Sequence, residues 1–165
     1  MIKDILKQSV SEIKLHKKDI VNKLLEFART DLLFFWAEKK ELLLRQQEQW
    51  FPILEWAENL MNITLSKTQS LDMPKNDVLQ NPLAEILQKM TDKELACFYL
   101  AALNMRSVLL ALALIKRRIT AETAYQLSYL EELWQNEKWG IEEEAVCRRE
   151  ERHKELLEIE SFLLL

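Results

Sequence analysis

Glycine is almost absent: the 165 residues contain one, alongside 3 Pro, 2 Cys and 2 His. Ordinary usage would give a chain of this length about eleven glycines. Without a glycine cluster the backbone cannot approach a pyrophosphate closely, which excludes dinucleotide folds and most phosphate cradles. The same scarcity argues against a hairpin-rich β protein, whose tight turns need positive φ. Cys97 and Cys147 lie far apart, with no CxxC partner and no metal-ligand spacing, so a secreted disulfide scaffold is excluded and both read as buried free thiols in helical, apolar surroundings. The 23 basic residues set against 27 acidic ones give a net charge of −4, which leaves no electrostatic footprint for a polyanion and argues against nucleic acid as a partner. What is present is length and hydrophobicity. At 48% hydrophobic residues, the chain can bury a real core as one helical domain over residues 1–165 without staples.

The N-terminus, MIKDILKQSV, has no apolar stretch long enough for a signal peptide and carries Asp4, unlike acid-poor transit sequences, so a bacterial cytoplasm is the expected compartment. Leu95–Ile115 approaches the length of a membrane span. Its centre holds Asn104, Arg106 and Ser107, and a central Arg costs about 2.5–3.5 kcal/mol on insertion. It also opens with Thr91-Asp-Lys-Glu94, the capping box of a soluble helix. A central packed helix is the reading, not integral to a membrane.

Helical periodicity runs through most of the chain. Ile2, Ile5, Leu6, Val10 and Ile13 form one 3.6-residue stripe, and a second covers Asp19 to about Glu38. From Glu41 a third stripe continues through Leu43, Trp50 and Ala57; because an interior proline costs about 3 kcal/mol, Pro52 predicts a split into two helices near Phe51-Pro52. Residues 62–81 lose the periodicity and read as the one long loop. Helices are expected again over 83–90, 95–115, 120–139 and 141 to near the end, with Thr120 as an N-cap and Gly140 as a left-handed C-terminal residue. The result is an all-α, orthogonal bundle of about six to seven helices. The charge-dense stretch Arg148–Glu155 reads as a solvated face.

Chemistry-bearing patterns are few. Glu150-x-x-His153 matches half of a di-iron motif, but His16 has no Glu three residues before it, and Arg149, Arg152 and Lys154 would repel a cation. No HExxH, GxSxG, Walker or Cys–His pattern occurs. No catalytic residue, metal, cofactor or small-molecule substrate is therefore assigned. The five tryptophans are more informative, since aromatics anchor cores and interfaces alike; Trp50 continues a core stripe, and Trp36 fits either place. On the 120–139 helix, at about 100° per residue, Glu131 falls beside Ala124, Leu127, Trp134 and Gln135. A partly buried carboxylate needs a partner. An internal ion pair or cap, recognition of another protein, and acid–base work all remain open for it.

These segments carry a resemblance. EFARTDLLFFWAE (26–38), LLRQQEQWFPILEWA (43–57), SVLLALAL (107–114) and, most specifically, LSYLEELWQNEKWGIEEEA (127–145) resemble the family of mitochondrial ATP synthase F(1) complex assembly factor 2 and its α-proteobacterial relatives, in order over nearly the whole chain. The resemblance implies a non-enzymatic chaperone that binds the free α-subunit of the F(1) head before hexamer assembly, here lacking the family's N-terminal β-rich domain. The alternative is a generic helical interaction module that has lost that client, and the alternative compartment is the mitochondrial matrix. The family's important glutamate falls on Glu131; Asp31, Gln46, Trp50, Pro52, Trp56, Gln135, Trp139 and Gly140 occupy other motif positions. Client-binding residues are accordingly expected at Glu131, Trp134, Gln135, Trp139, Asp31 and Gln46. The chain departs from the family at Phe35-Trp36, at Arg106 where a glycine is usual, and in the loop LSKTQSLDMP.

Overall fold

The computed structural model describes residues 2–70 and 72–165, in which eight α-helices form the bundle. They are α1 (Ile2–Phe27), α2 (Lys40–Met61), α3 (Gln80–Lys89), α4 (Asp92–Met105), α5 (Val108–Ile115), α6 (Ala121–Ser128), α7 (Leu130–Trp139) and α8 (Glu143–Leu163). Short 3₁₀ turns occupy Ala28–Thr30, Leu32–Phe34 and Asp77–Leu79. α5 is the axle. All eight of its residues are apolar and buried, and α2, α4, α6 and α8 pack around it. Removing a leucine-sized side chain from water is worth about 1.5–3 kcal/mol, so this one short helix supplies a large share of the driving force for collapse.

The helix count exceeds the expected six to seven because chain breaks fall where no glycine or proline marks them. The expected continuous helix 95–115 is two. Arg106 adopts the left-handed conformation (φ 57°, ψ 29°) and closes α4, and extended Ser107 opens α5, its Oγ accepting from Leu110 N at 3.0 Å. The expected helix 120–139 breaks at Tyr129 (φ −105°, ψ 20°) into α6 and α7. In the other direction, Pro52 does not split α2. Pro52 lies on the exposed face, so the unmatched Glu48 carbonyl can take a hydrogen bond from water. The expected breaks in the first two stripes also move: α1 runs through to Phe27 with a kink at His16 (φ −132°, ψ 29°), and the stretch up to Phe34 is 3₁₀ turns.

The caps at Thr91 and Thr120 form as the sequence predicts. The irregular segment ends at Asn76, and α3 begins three residues before the expected Leu83. Within it Thr68 bridges back to the 34–36 strand-like segment through Trp36 N–Thr68 O and Thr68 N–Phe34 O, both 2.8 Å. Trp36 is half-buried, its Nε1 donating to Leu33 O at 2.8 Å. Cys97 is buried as expected, whereas Cys147 is exposed on the outer side of α8. Among the described residues, no helix is long and apolar enough to cross a membrane.

Candidate docking site

The break at Tyr129 sets the geometry of α7, which carries Glu131, Trp134, Gln135 and Trp139, by re-aiming it relative to α6. A wheel drawn across an unbroken 120–139 helix placed Glu131 against apolar neighbours; with the axis reset at Tyr129, Glu131 is exposed. It stands at the mouth of a groove whose walls include Leu32, Trp50, Ser128 and Gln135. As a first-turn acid, Glu131 faces the positive end of the α7 dipole. Its neighbour Glu132 is the residue that turns inward, toward Arg149 of α8 at 3.5 Å.

The floor of the groove is fastened from three sides. Trp50 of α2 is buried and donates from Nε1 to the Leu127 carbonyl at 2.8 Å, at the end of α6. Asp31 is 0% exposed. Its Oδ1 accepts from Leu33 N at 3.0 Å and from Ser107 Oγ at 2.7 Å, and its Oδ2 accepts from Leu109 N at 3.0 Å. One carboxylate therefore caps a 3₁₀ turn and the N-terminus of α5 together. Burial pushes Asp31 up to about 6, while the hydrogen bonds from Leu33, Leu109 and Ser107 pull the other way. The adjacent Leu32 N donates to the Arg106 carbonyl at 3.0 Å, so the same junction holds two residues that line the groove, Leu32 and Arg106. Gln46 is likewise buried, its Oε1 accepting from Ala37 N at 2.8 Å. Asp31 and Gln46 thus lie inside the protein, where they position the surface without forming part of it.

At the other end of α7, Trp134 is buried and packs edge-on against Trp139, ring centroids 5.2 Å apart. Lys39 lies over both rings, 5.7 Å from the Trp134 centroid and 4.7 Å from that of Trp139. Among the described residues the Trp134 Nε1 is the one buried side-chain nitrogen or oxygen without a hydrogen bond. The Glu41 carboxylate, held below the usual range mainly by Lys138, senses this indole N–H weakly, short of hydrogen-bond geometry. Trp139 is 65% exposed and Ile141 72%, an apolar pair beside a second hollow of about 420 Å³ that Gln135, Asn136 and Arg149 also line. The site residues expected from the sequence therefore divide. Glu131, Gln135 and Trp139 share one face, Trp134 supports it from beneath, and Asp31 and Gln46 are interior.

Between Trp139 and α8, Gly140 has φ 89° and ψ −178°. Its φ is positive, as the sequence predicts for a helix stop, but its ψ is extended and not αL, a combination essentially confined to glycine. An added Cβ would meet nothing within 4 Å, so the requirement comes from the backbone alone. Gly140→Ala is expected to lower stability by about 1–3 kcal/mol, read as a shifted midpoint in urea with unchanged slope.

Sequence reasoning did not single out the residues that join α7 to α8. Arg149, inside the stretch expected to be solvated, is only 7% exposed. Its Nε donates to Tyr125 Oη at 3.1 Å, and the Asn136 amide, oriented with its oxygen toward the guanidinium, accepts from Nη2 at 2.6 Å. His153, in the same stretch expected to be solvated, is half-buried, stacked on Tyr125 at 3.9 Å and paired with Glu122. No grouping of His, Cys, Asp and Glu among the described residues could hold a metal ion.

Comparison with known proteins gives this architecture a lineage. The profile of the family described as ATP12 chaperone protein matches residues 3–58. Protein atp12, mitochondrial, of Schizosaccharomyces pombe is 24% identical over 145 residues, covering 82% of this chain and 50% of the relative; the chain thus spans about half the length of that curated protein. The crystal structure of Atp12 from Paracoccus denitrificans is similar with a TM-score of 0.86 at 28% identity, covering 94% of this chain and 67% of that one, and a mutant of the same protein gives 0.88 at 27% over the same shares. A candidate chaperone from Agrobacterium tumefaciens is similar at 0.79 and 29% identity, covering 94% and 59%. The eight-helix bundle, the family profile over residues 3–58, the sequence relative and the structural neighbours agree in one respect: this chain is similar to the ATP12 chaperone proteins in sequence and in fold.

Proposed function

We propose that the chain is an assembly chaperone that holds the free α-subunit of the ATP synthase F(1) head, in a bacterial cytoplasm, until that subunit enters the hexamer. It acts without chemistry: Glu131, Gln135 and Trp139 meet the client, and Trp134 backs the surface. The observation that carries the reading is the placement of Glu131. It is exposed at the rim of a groove, its carboxylate without a side-chain hydrogen bond or ion pair among the described residues, on the same helix as the exposed Trp139. An exposed carboxylate without a protein partner, about two turns from an accessible aromatic on the same helix, suits a protein interface, where an aromatic anchor supplies energy and a charge selects the partner. Asp31 and Gln46 serve the same function from inside, by fixing the segment 31–37 that forms one wall.

Co-expression with an α-subunit is expected to raise soluble α several-fold, and Glu131→Gln to remove most of that gain while leaving the chaperone's own stability within about 0.5 kcal/mol, as for other exposed substitutions. Unchanged α solubility with the intact chain would overturn the reading. A shift in chaperone stability on Glu131→Gln would instead assign the carboxylate to scaffolding.

A further inference from the structure

We infer that the arginine-lined trough between the end of α4 and α8 is the docking site for an acidic, partly apolar segment of a protein partner. The inference rests on reading this face as a docking face and names the chemistry the partner must bring. Arg106, Arg148, Arg149 and Arg152 line one hollow of about 260 Å³, and Glu132 is the single carboxylate among its lining residues. The hollow carries a formal charge of +3 within a chain of net charge −4. The local sign is thus opposite to the global one.

The positive charge is poorly spent inside the protein. Arg149 is buried, and its carboxylate partner Glu132 is at 3.5 Å, a long contact for an ion pair. Arg106 and Arg148 make no ion pair with any described residue, and Arg152 contacts only the exposed Glu155, at 3.3 Å. Arg106 is also held in the left-handed region, which costs a non-glycine residue about 1–2 kcal/mol, and it projects from the α4–α5 junction that Asp31 and Leu32 fix. Guanidinium groups are weakly hydrated and present planar forks that match carboxylates in two-point contacts.

Shape narrows the occupant further. The trough shares Glu132, Ala145 and Arg149 with the hollow beside Trp139 and Ile141, giving an elongated channel suited to an extended chain. Leu103 and Ala145 add apolar lining. Glu131 and Glu142 line the adjoining hollows and would repel a continuous polyanion such as nucleic acid. A peptide with a few carboxylates spaced by apolar residues satisfies both the arginines and these guards.

The test uses the full chain and a fluorescein-labelled decapeptide in which Glu alternates with Leu and Ala, its Gln counterpart, and an oligothymidylate of equal length, followed by fluorescence anisotropy. The Glu peptide is expected to bind about tenfold more tightly than the Gln peptide and than the oligothymidylate, and Arg148→Gln with Arg152→Gln to remove that preference. Arg106→Gly weakens Glu-peptide binding while raising the melting temperature, because glycine relieves the left-handed strain, so lost binding in this variant cannot be ascribed to unfolding. Equal binding of the Glu and Gln peptides, tighter binding of the oligothymidylate, or no binding overturns the inference. If α is still captured in a Glu131-dependent way under any of those results, the α-subunit reading stands without it; if the Glu peptide binds as expected but α is not captured, the α-subunit reading fails and the trough serves another acidic partner.

Discussion

Asp31→Ala is expected to destabilise the protein by at least about 3 kcal/mol, the largest effect of any polar substitution in the chain. The change strands three donors in a sealed interior, the Leu33 and Leu109 N–H groups and the Ser107 hydroxyl, and each unmatched buried donor costs about 1–3 kcal/mol. Asp31→Asn keeps one acceptor but turns an amide N–H₂ toward existing donors, so a loss of about 1–3 kcal/mol is expected. The two proteins should also diverge with pH. Burial holds the Asp31 carboxyl at about 6 in the folded chain, against about 3.9 when unfolded. Between those values the folded state binds more protons than the unfolded one, so this residue's contribution is fully present below about pH 4 and is lost as pH rises through 6. Two units at about 1.4 kcal/mol each amount to roughly 3 kcal/mol. Urea titrations at pH 7 and pH 5 should therefore show the native chain gaining on Asp31→Asn as the solution is acidified. Loss of ground on acidification would mean that the donors hold the carboxylate ionised despite its burial.

Nothing local in the sequence shows this role for Asp31. Its partners Ser107 and Leu109 lie on the other side of α2, α3 and α4, and only the folded topology brings them to it; the family resemblance marked the position without its reason. Features governed by neighbours three or four residues away were legible: the Thr91–Glu94 capping box, the Thr120 cap and the glycine stop at 140 all form. The breaks at Arg106 and Tyr129 were not legible, because a left-handed arginine and a bridge-region tyrosine are each locally unfavourable and exist only where tertiary contacts outweigh the cost. Here Leu32 N and Asp31 hold the first break, and the Trp50 bond to Leu127 O, beside it in sequence, holds the second. Missing the second break misplaced Glu131: the wheel predicted a half-buried acid, and the reset axis delivers an exposed one. The same error hid Glu132 and Arg149, whose pairing depends on how α7 and α8 face each other and not on any spacing within one helix.

Trp50 connects that scaffold to the groove at Glu131, and truncating it should produce the second large effect. Trp50→Ala removes a side chain that is 2% exposed and leaves a cavity between α2 and the α6–α7 junction, at an expected cost of about 3–5 kcal/mol. Trp50→Phe separates packing from hydrogen bonding: it keeps most of the apolar volume but deletes the Nε1 donor, so the Leu127 carbonyl at the end of α6 loses its 2.8 Å partner, at about 1–3 kcal/mol. Because that bond anchors the chain just before the Tyr129 break, the phenylalanine variant should also loosen α7. Amide exchange is then expected to quicken over Leu130–Trp139 more than over α4 or α5, which are held by the Asp31 junction and the central core. An equal acceleration in α4, α5 and α7 would show that Trp50 supports the bundle as a whole and does not specifically aim the helix carrying Glu131.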